Sequence, residues 1–422
     1  MNVSEVATAL TADGVDRAAE ELRHVVRRTP LEVSARLSDE VGARVVLKRE
    51  DLQAVRSYKI RGAHYLISSL SPADRERGVV CASAGNHAQG VASSCAELGI
   101  HARIYVPGNT PRQKRQRILA LGGSHVELIV GGSTFDAASQ AAREDVARTG
   151  AIYVPAFDAE YTILGQGTVA PEIAEQAGPA LHTVVVPVGG GGLIAGMAVW
   201  LREHRPEVRI VGVEPAGAAS MTAALAAGGP VDLPEMDSFV DGAAVGRVGS
   251  LTYPVVRDRV DEIVTVTEGA VCTEMLSLYQ VEGVIAEPAG ALASAAVRTL
   301  AGSFPPDAVV ACVVSGGNND VSRYAEILER SLIHEGLRHY FLVTFPQEPG
   351  ALRRFLDEVL SEGEDIVVFE YVKKNNRDTG PALVGLELER ASDLAALLQR
   401  MEESPLRIEQ LPPGSPTFRF LT

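Results

Sequence analysis

The sequence predicts an α/β protein with doubly wound parallel sheets, followed by a small C-terminal unit of mixed strands and helices. From about residue 43 to residue 330, short β-rich segments alternate with longer amphipathic segments, an order typical of parallel α/β sheets. Several β-rich segments are continuous apolar runs, such as HTVVVPV and AVVACVV, as expected of strands buried on both faces. A ligand is therefore expected beyond the carboxyl ends of the strands.

Hydrophobic patterning locates the individual elements of this first part. The predicted strands are Arg44–Leu47, Gly78–Ala82, Ala102–Val106, His125–Val130, Ala151–Val154, Thr183–Val188, Arg209–Val213, Glu262–Val266 and Ala308–Val314. The predicted helices between them include Asn86–Leu98, Pro111–Leu121, Phe135–Arg148 and Ala270–Gln280.

The pattern changes near residues 331–338, which we interpret as a linker. The segments that follow are predicted as strand His339–Phe345, helix Ala351–Leu360, strand Asp365–Val372, a hairpin at KKNNRDTG, strand Ala382–Glu389 and helix Ser392–Met401. This β-α-β-β-α order fits a small ferredoxin-like unit. The unit has no nucleophile–base pair and no cluster of metal-ligand residues in its sequence, so we interpret it as a binding module.

Composition excludes several classes of function. The 422 residues have a formal charge of −15, which gives no overall attraction to nucleic acid or to an anionic membrane. The four cysteines form no CxxC pair, so we expect neither a disulfide framework nor a structural zinc site. There is no apolar run of eighteen residues and no signal-peptide pattern at the N-terminus. We therefore expect a cytoplasmic protein.

A glycine-rich segment follows the apolar run HTVVVPV. Four consecutive glycines, Gly189, Gly190, Gly191 and Gly192, precede a helix that is predicted to begin near Leu193. Without Cβ atoms, successive N–H groups can converge at a helix N-terminus and bind a phosphate. Gly190, Gly192 and Ala195 also match a loose dinucleotide pattern, with Glu214 at the end of the next strand. This segment alone leaves a phosphate-bearing cofactor and a dinucleotide both open.

Lys59 decides between these two readings of the glycine segment. It lies in SYKIRGA, at the start of a predicted apolar helix, where burial of the ammonium group would favour the neutral amine. A neutral lysine amine can form a Schiff base with a carbonyl compound. A pyridoxal phosphate enzyme needs such a lysine, whereas a nicotinamide enzyme does not.

Two further segments end predicted strands with small polar residues. Ser83, Ala84, Gly85, Asn86 and His87 precede a helix, where exposed N–H groups could bind a substrate carboxylate. Asn86 could donate to a ring oxygen or could cap the helix, and His87 is expected to be structural. Ser315 follows Ala308–Val314 and could bond a pyridine nitrogen or simply serve as a cap.

Together these motifs resemble one enzyme family. SYKIRGA, SAGNHAQG, PVGGGGLIAG, EPAGA and CVVSGGNND are similar to those of the threonine dehydratases (threonine ammonia-lyases), of the tryptophan-synthase-β-like, fold-type II pyridoxal phosphate enzymes. The tail resembles the ACT-like regulatory domain of the biosynthetic, isoleucine-sensitive form, in a short version with one such module. The resemblance implies a catalytic domain at residues 1–333, with a smaller lobe at about 55–160, and a regulatory domain at residues 338–422.

The resemblance also implies roles for individual residues. Lys59 matches the lysine that binds the cofactor covalently and acts in catalysis. The phosphate loop corresponds to Gly189, Gly190, Gly191, Gly192 and Leu193, and the loop for the substrate carboxylate to Ser83, Ala84, Gly85, Asn86 and His87. Asn86 matches the partner of the cofactor's ring hydroxyl, and Ser315 the partner of its pyridine nitrogen. Glu287 lies in a motif that the family places near the cofactor.

The chain departs from the family pattern at Tyr58, where many members have phenylalanine. After Glu214 there is no second carboxylate of the kind with which some relatives bind a divalent metal, so no metal is expected.

The implied reaction is β-elimination from L-threonine to 2-oxobutanoate and ammonia. We expect isoleucine to inhibit the enzyme by binding the tail, and valine to oppose this effect. The expected assembly is a homodimer or a homotetramer. The alternatives are a serine dehydratase, a racemase or a catabolic threonine enzyme of the same family, a nicotinamide oxidoreductase, and a non-catalytic amino-acid sensor.

Overall fold

The computed structural model describes residues 10–373, 377–415 and 417–418. The chain forms two compact units, the first running to Asp320 and the second beginning at Val321. Within the described residues, no helix is both long enough and apolar enough to cross a membrane. The domain bounds expected from the sequence, 1–333 and 338–422, stay a prediction.

The first unit is built on two sheets. Its strands are β1 (Leu31–Val33), β2 (Arg44–Arg49), β3 (Val79–Ala82), β4 (Ala102–Val106), β5 (Val126–Val130), β6 (Ile152–Tyr153), β7 (Leu181–Pro187), β8 (Arg209–Pro215), β9 (Glu262–Val266) and β10 (Val309–Val314). The larger sheet has the order β1-β2-β10-β7-β8-β9 and the smaller one the order β5-β4-β3-β6. Only β1 pairs antiparallel among these described strands, and every other pairing is parallel.

Helices alternate with these strands along the chain. They are α1 (Ala12–Leu22), α2 (Ala35–Val41), α3 (Lys59–Ser68), α4 (Pro72–Arg77), α5 (Asn86–Leu98), α6 (Arg112–Gly122), α7 (Phe135–Thr149), α8 (Glu160–Gly167), α9 (Val169–Ala177), α10 (Gly192–His204), α11 (Ser220–Ala227), α12 (Thr252–Arg259), α13 (Glu268–Glu282) and α14 (Pro288–Val297). The predicted α/β class is confirmed.

The most apolar segments occupy the centre of the larger sheet. Strands β7 and β10 lie side by side, with Val184 opposite Ala311, and every residue of β10 is buried. Helix α14 is also buried along its whole length. The continuous apolar runs are therefore strands covered on both faces, as the sequence predicts.

The second unit is a four-stranded antiparallel sheet with helices. Its elements are α15 (Tyr324–His334), β11 (Arg338–Pro346), α16 (Ala351–Glu358), β12 (Glu364–Tyr371), β13 (Thr379–Leu388), α17 (Leu394–Glu403) and β14 (Arg407–Leu411), with the strands in the order β12-β13-β11-β14. The predicted β-α-β-β-α order is confirmed, and β14 completes the ferredoxin-like arrangement. Residues 374–376 of the predicted hairpin lie outside the described residues.

Candidate active site

The segment that carries Lys59 is joined to the segment that follows β10. Ser57 forms an antiparallel bridge with Gly316, and the Tyr58 N–H donates to Ser315 O at 3.1 Å. One residue earlier, Arg56 O accepts a hydrogen bond from the Gly317 N–H at 2.9 Å. These backbone contacts place Lys59 next to Ser315, although 256 positions separate them in the sequence.

Lys59 is the first residue of α3 and is half-buried. Its Nζ donates to Ala156 O at 3.1 Å and lies 5.0 Å from the centroid of the Tyr58 ring. The same carbonyl accepts a hydrogen bond from Gln166 Nε2 at 3.0 Å. The ammonium group is therefore directed at a single backbone carbonyl, and no carboxylate pairs with it among the described residues.

Glycine allows the helix that begins at Lys59 to pack closely on α8. A Cβ on Gly62 would lie 2.6 Å from Thr162 O, and one on Gly165 would lie 2.6 Å from Arg61 O. Both distances are too short for any larger residue, so the glycine of the RGA sequence is required by the close approach of two backbones. This packing fixes the position of Lys59 relative to the 156–166 segment.

The four predicted phosphate-loop glycines connect β7 to α10. Gly191 has a φ of +91° and directly precedes the helix, a conformation that favours glycine. A Cβ on Gly190 would lie 2.3 Å from the Phe157 ring, and one on Gly192 would lie 2.4 Å from Gln166 Oε1. In the described chain no side chain caps this helix, so its first N–H groups and the positive end of its dipole remain available to an anion.

The predicted carboxylate loop forms a second uncapped helix N-terminus. Ser83 and the next three residues are half-buried and connect β3 to α5, and no described side chain caps α5. Ser83 Oγ instead accepts a hydrogen bond from the Gly85 N–H at 3.3 Å. Asn86 is the first residue of the helix, so the N-cap alternative for its side chain is not what the structure shows.

His87 is buried at the start of α5 and is neutral. Burial, together with the nearby charge of Lys59, lowers the pKa of His87 to about 4. Its Nε2 lies 2.8 Å from Val154 O, and a carbonyl can only accept, so Nε2 carries the proton. The expectation of a structural role agrees with this contact, which joins α5 to the end of the smaller sheet.

Asn86 and Glu287 meet beside Gly316, the residue that follows Ser315. Asn86 Nδ2 donates to Glu287 Oε1 at 2.5 Å, across 201 positions of sequence. Ser315 Oγ donates to Ala289 O at 3.1 Å. Because a hydroxyl has one proton, Ser315 can donate to a pyridine nitrogen only by rotating away from this carbonyl.

Glu287 is a buried carboxyl with an unusual affinity for its proton. Burial, and after it the Asp241 carboxylate, raise the pKa of Glu287 to about 7, although the hydrogen bond from Asn86 and the charge of Lys114 act in the opposite direction. Lys114 Nζ lies 2.5 Å from Asp241 Oδ2. Near neutral pH, Glu287 therefore exists in both protonation states.

Glu214 does not have the role that the dinucleotide alternative requires. Its carboxylate accepts hydrogen bonds from the Met221 N–H at 2.6 Å and the Thr222 N–H at 2.8 Å, and it is fully buried. Both oxygens thus bind the start of α11 and are not free for a ribose. The described residues also contain no group of three His, Cys, Asp or Glu side chains placed to bind a metal ion.

Comparison with known proteins identifies the family. Residues 22–316 match the pyridoxal-phosphate dependent enzymes, and residues 329–421 match the C-terminal regulatory domain of threonine dehydratase. The biosynthetic L-threonine dehydratase of Mycobacterium tuberculosis is 58% identical over 415 residues, which cover 98% of this chain and 96% of that protein. The chain belongs to the biosynthetic L-threonine dehydratase family. A Bacillus subtilis member of the family is 46% identical, with 96% of each chain covered.

Solved structures of related enzymes share the fold of this dehydratase family member. The processed form of threonine deaminase isoform 2 from Solanum lycopersicum superposes with a TM-score of 0.73 at 37% identity, over 78% of this chain and 94% of that one. Maize serine racemase gives a TM-score of 0.71 at 33% identity, over 77% and 99% of the two chains. The cofactor of the family is pyridoxal phosphate.

The residues of this threonine dehydratase family member fit that cofactor. The glycine loop has no side chains where an anion would approach the uncapped N-terminus of α10, and α5 offers a second uncapped N-terminus. Three buried polar atoms around Lys59 have no partner among the described residues, namely Ser57 Oγ, His87 Nδ1 and Gln166 Oε1. A buried polar atom without a partner is costly, so these atoms indicate a polar ligand at this position.

Phe157 and Gln166 were not predicted from the sequence as part of the site. They lie against the glycine loop, and Gln166 shares an acceptor with Lys59. Their position in the sequence could have indicated them. The segment PAFDAEYTILGQG follows a strand of the smaller parallel sheet, and ligand contacts are expected after the ends of such strands.

Proposed function

We propose that this protein deaminates L-threonine to 2-oxobutanoate and ammonia by β-elimination, as the first committed step of isoleucine biosynthesis. The observation that carries the proposal is the position of Lys59. Its Nζ shares the Ala156 carbonyl with Gln166, which abuts the glycine loop, and its charge acts on His87 in the second loop. One lysine amine thus lies between two sites that are suited to anions.

We propose that the cofactor is bound by the residues expected from the sequence. Lys59 would bind its aldehyde carbon, and the loop from Gly189 to Leu193 would donate backbone N–H groups to its phosphate. Asn86 and Ser315 would contact the ring hydroxyl and the pyridine nitrogen. When bound, pyridoxal phosphate supplies an electron-withdrawing ring that stabilises negative charge at the substrate Cα.

The chain's own groups then bind the substrate and move its protons. The N–H groups at the start of α5, from Ser83 to His87, bind the threonine carboxylate. Lys59 Nζ, as a free amine, removes the Cα proton. Ser315, as a neutral hydroxyl, would bond the pyridine nitrogen without protonating it, and this would favour loss of the β-hydroxyl over transamination.

We propose that the second unit, within residues 338–422, regulates the catalytic domain at residues 1–333. Isoleucine would bind the tail and lower the affinity for threonine, with valine opposing it. The match to a threonine dehydratase regulatory domain supports this assignment. Strands β12 and β14 form the edges of its sheet, and edge strands are templates for pairing with another chain. A homodimer or homotetramer is therefore part of the proposal.

A cytoplasmic location is also proposed. Cys81, Cys95, Cys272 and Cys312 are all buried thiols, as is usual for proteins of reducing compartments.

A serine dehydratase or serine racemase activity is the second candidate, because maize serine racemase shares the fold at 33% identity. The regulatory-domain match favours the threonine enzyme. Measuring 2-oxobutanoate from L-threonine and D-serine from L-serine, with and without isoleucine, decides between them. Faster turnover of serine without an isoleucine response would overturn the proposal.

The first test of the proposal is the substitution Lys59→Ala. It should abolish 2-oxobutanoate formation and the yellow colour that survives gel filtration, because the lysine amine that would bind the cofactor is lost. Lys373→Ala, at an exposed lysine, is the control and should keep both. A near-normal rate in Lys59→Ala would contradict the role of Lys59.

A further inference from the structure

Asn318 connects two arms of the site that are far apart in the sequence. It lies in the SGGNND segment after β10 and is half-buried. Its Nδ2 donates to Asn86 Oδ1 at 2.7 Å and to Val55 O at 2.9 Å. An amide nitrogen has two protons, so these two contacts use both side-chain donors of Asn318.

The contact with Asn318 determines which way the Asn86 amide points. Asn86 Oδ1 faces the Asn318 donor, and Asn86 Nδ2 faces Glu287 Oε1. A flipped Asn86 would place N–H against N–H on one side and oxygen against oxygen on the other. The orientation of a side-chain amide is decided by such a network. Here the Asn318 side decides it, because Val55 O can only accept and therefore fixes Asn318 Nδ2 as the donor that faces Asn86 Oδ1.

The contact with Val55 extends the network to the turn before Lys59. Arg56 has a φ of +57°, the only positive φ of a non-glycine residue in the described chain, and such a conformation requires support from its surroundings. Its two peptide groups provide that support: Val55 O accepts from Asn318, and Arg56 O accepts from the Gly317 N–H. Asn318 therefore stabilises the turn that presents Lys59 while it orients Asn86.

We propose that Asn318 is a positioning residue for the cofactor. It orients the Asn86 amide so that the second N–H of Nδ2 remains for the ring hydroxyl, and it fixes the turn before Lys59. This inference rests on the proposed function for its assignment of Asn86. Asn318 acts through Asn86 and through this turn, which its side chain bonds.

The test compares full-length Asn318→Asp, Asn318→Ala and the matched control Asn319→Asp. The adjacent Asn319 accepts from the Asp320 N–H through Oδ1 at 3.0 Å, a bond that an aspartate also makes. The dissociation constant of pyridoxal phosphate is measured by absorbance titration of each apoenzyme, and the melting temperature of each apoenzyme is recorded. Neither measurement involves threonine.

At pH 8, Asn318→Ala should weaken cofactor binding by about tenfold, the size of a lost hydrogen bond. Asn318→Asp should weaken it more, although its side chain has the same shape, because its carboxylate faces Asn86 Oδ1 and Val55 O. That excess should shrink as the pH is lowered toward the pKa of the new carboxyl, because a protonated carboxyl can donate again. The charged or titratable groups Glu287, Arg56 and Asp51 lie near this network. Each dissociation constant is therefore divided by the wild-type value at the same pH, which removes their contribution. Asn319→Asp should stay within about twofold.

A purely structural role predicts another pattern. Asn318→Ala would then lower the melting temperature more than Asn318→Asp does, and the cofactor affinities of the two variants would match. That result would overturn the proposal. If Asn318→Asp does not fold, Asn318→Ala and Asn319→Ala are compared, and equal cofactor affinities would overturn it. A wild-type enzyme that binds pyridoxal phosphate but does not deaminate threonine would refute the proposed function alone.

Discussion

Glu287 shows how one buried carboxyl can make the site respond to pH. Its pKa is raised from 4.5 to about 7, first by burial and then by Asp241. A carboxyl whose pKa is higher in the folded protein binds its proton more tightly there than in the unfolded chain. Glu287 therefore favours folding below pH 4.5, and this contribution is lost as the pH rises to about 7.

Replacing Glu287 with Gln should remove this dependence, because glutamine has the same shape and stays neutral. Between pH 5 and pH 8, the free energy of unfolding of the variant apoenzyme should fall less than that of the wild type, by about 2 to 3 kcal/mol. Urea unfolding at both pH values measures the difference. Glu235→Gln, at an exposed carboxyl, is the control and should match the wild type. An unchanged pH dependence in Glu287→Gln would contradict titration near pH 7.

Local sequence indicated Lys59 and the glycine loop, since each depends on a short motif at the end of an element. It could not show the contact between Asn86 and Glu287, because 201 positions separate these residues and only the fold brings them together. For the same reason, the motif CVVSGGNND does not by itself indicate a role for Asn318. The roles of the individual site residues stay predictions until the variants are measured.

At the scale of elements, helix α3 is fixed by a buried network of charges. Arg61 is fully buried, and its guanidinium donates to both oxygens of Glu50 at 2.8 Å and to Glu172 at 2.7 Å. Lys48 Nζ reaches the other oxygen of Glu172 at 2.6 Å. Burial alone would raise the pKa of Glu50, but the charge and hydrogen bonds of Arg61 outweigh burial and lower it. The network thus joins β2, α3 and α9 close to Lys59.

Removing one member of this network should be costly. Arg61→Met would leave Glu50 buried without its main partner, so the free energy of unfolding should fall by about 3 to 5 kcal/mol. Urea unfolding of the apoenzyme measures this. The exposed pair of Arg23 and Glu20 provides the control, because Arg23→Met should cost less than about 1 kcal/mol. The double variant Arg61→Met/Glu50→Gln should regain part of the loss, and no recovery would contradict the electrostatic explanation.

Most elements could be predicted from hydrophobic patterning, and their predicted ends differ from the observed ones by at most two residues in the first unit. The missed strands have physical reasons. Strand β1 has three residues, none of them buried, and β14, with the sequence RIEQL, has only Leu411 buried. Such segments are strands because a neighbouring strand supplies hydrogen bonds, which the local sequence does not encode.

At the scale of the whole molecule, each unit has its own hydrophobic core. In the second unit, Phe341, Val343 and Phe345 of β11 are buried against Phe355 of α16, and the rings of Phe345 and Phe355 lie 5.5 Å apart. The first unit has separate cores around its two sheets. The net charge of −15 is compatible with anionic ligands because the site offers backbone N–H groups and Lys59.

Deleting residues from Val321 onward should separate catalysis from regulation. This cut follows the division into compact units. A cut after Leu337 would keep α15 but would remove Arg338 and Tyr340, which both bond to Glu329 of that helix. The shortened enzyme should still deaminate threonine, because every site residue lies before residue 321, and it should lose inhibition by isoleucine.

The threonine KM with and without isoleucine is measured for the full chain and the shortened chain, with cofactor absorbance as the check that the shortened enzyme is folded. Coupling between two sites requires that the effector bind one state of the enzyme more tightly than the other. Without the unit that binds isoleucine, the KM of the shortened enzyme should be independent of it. An isoleucine-dependent KM in the shortened enzyme would place the effector site in the catalytic unit.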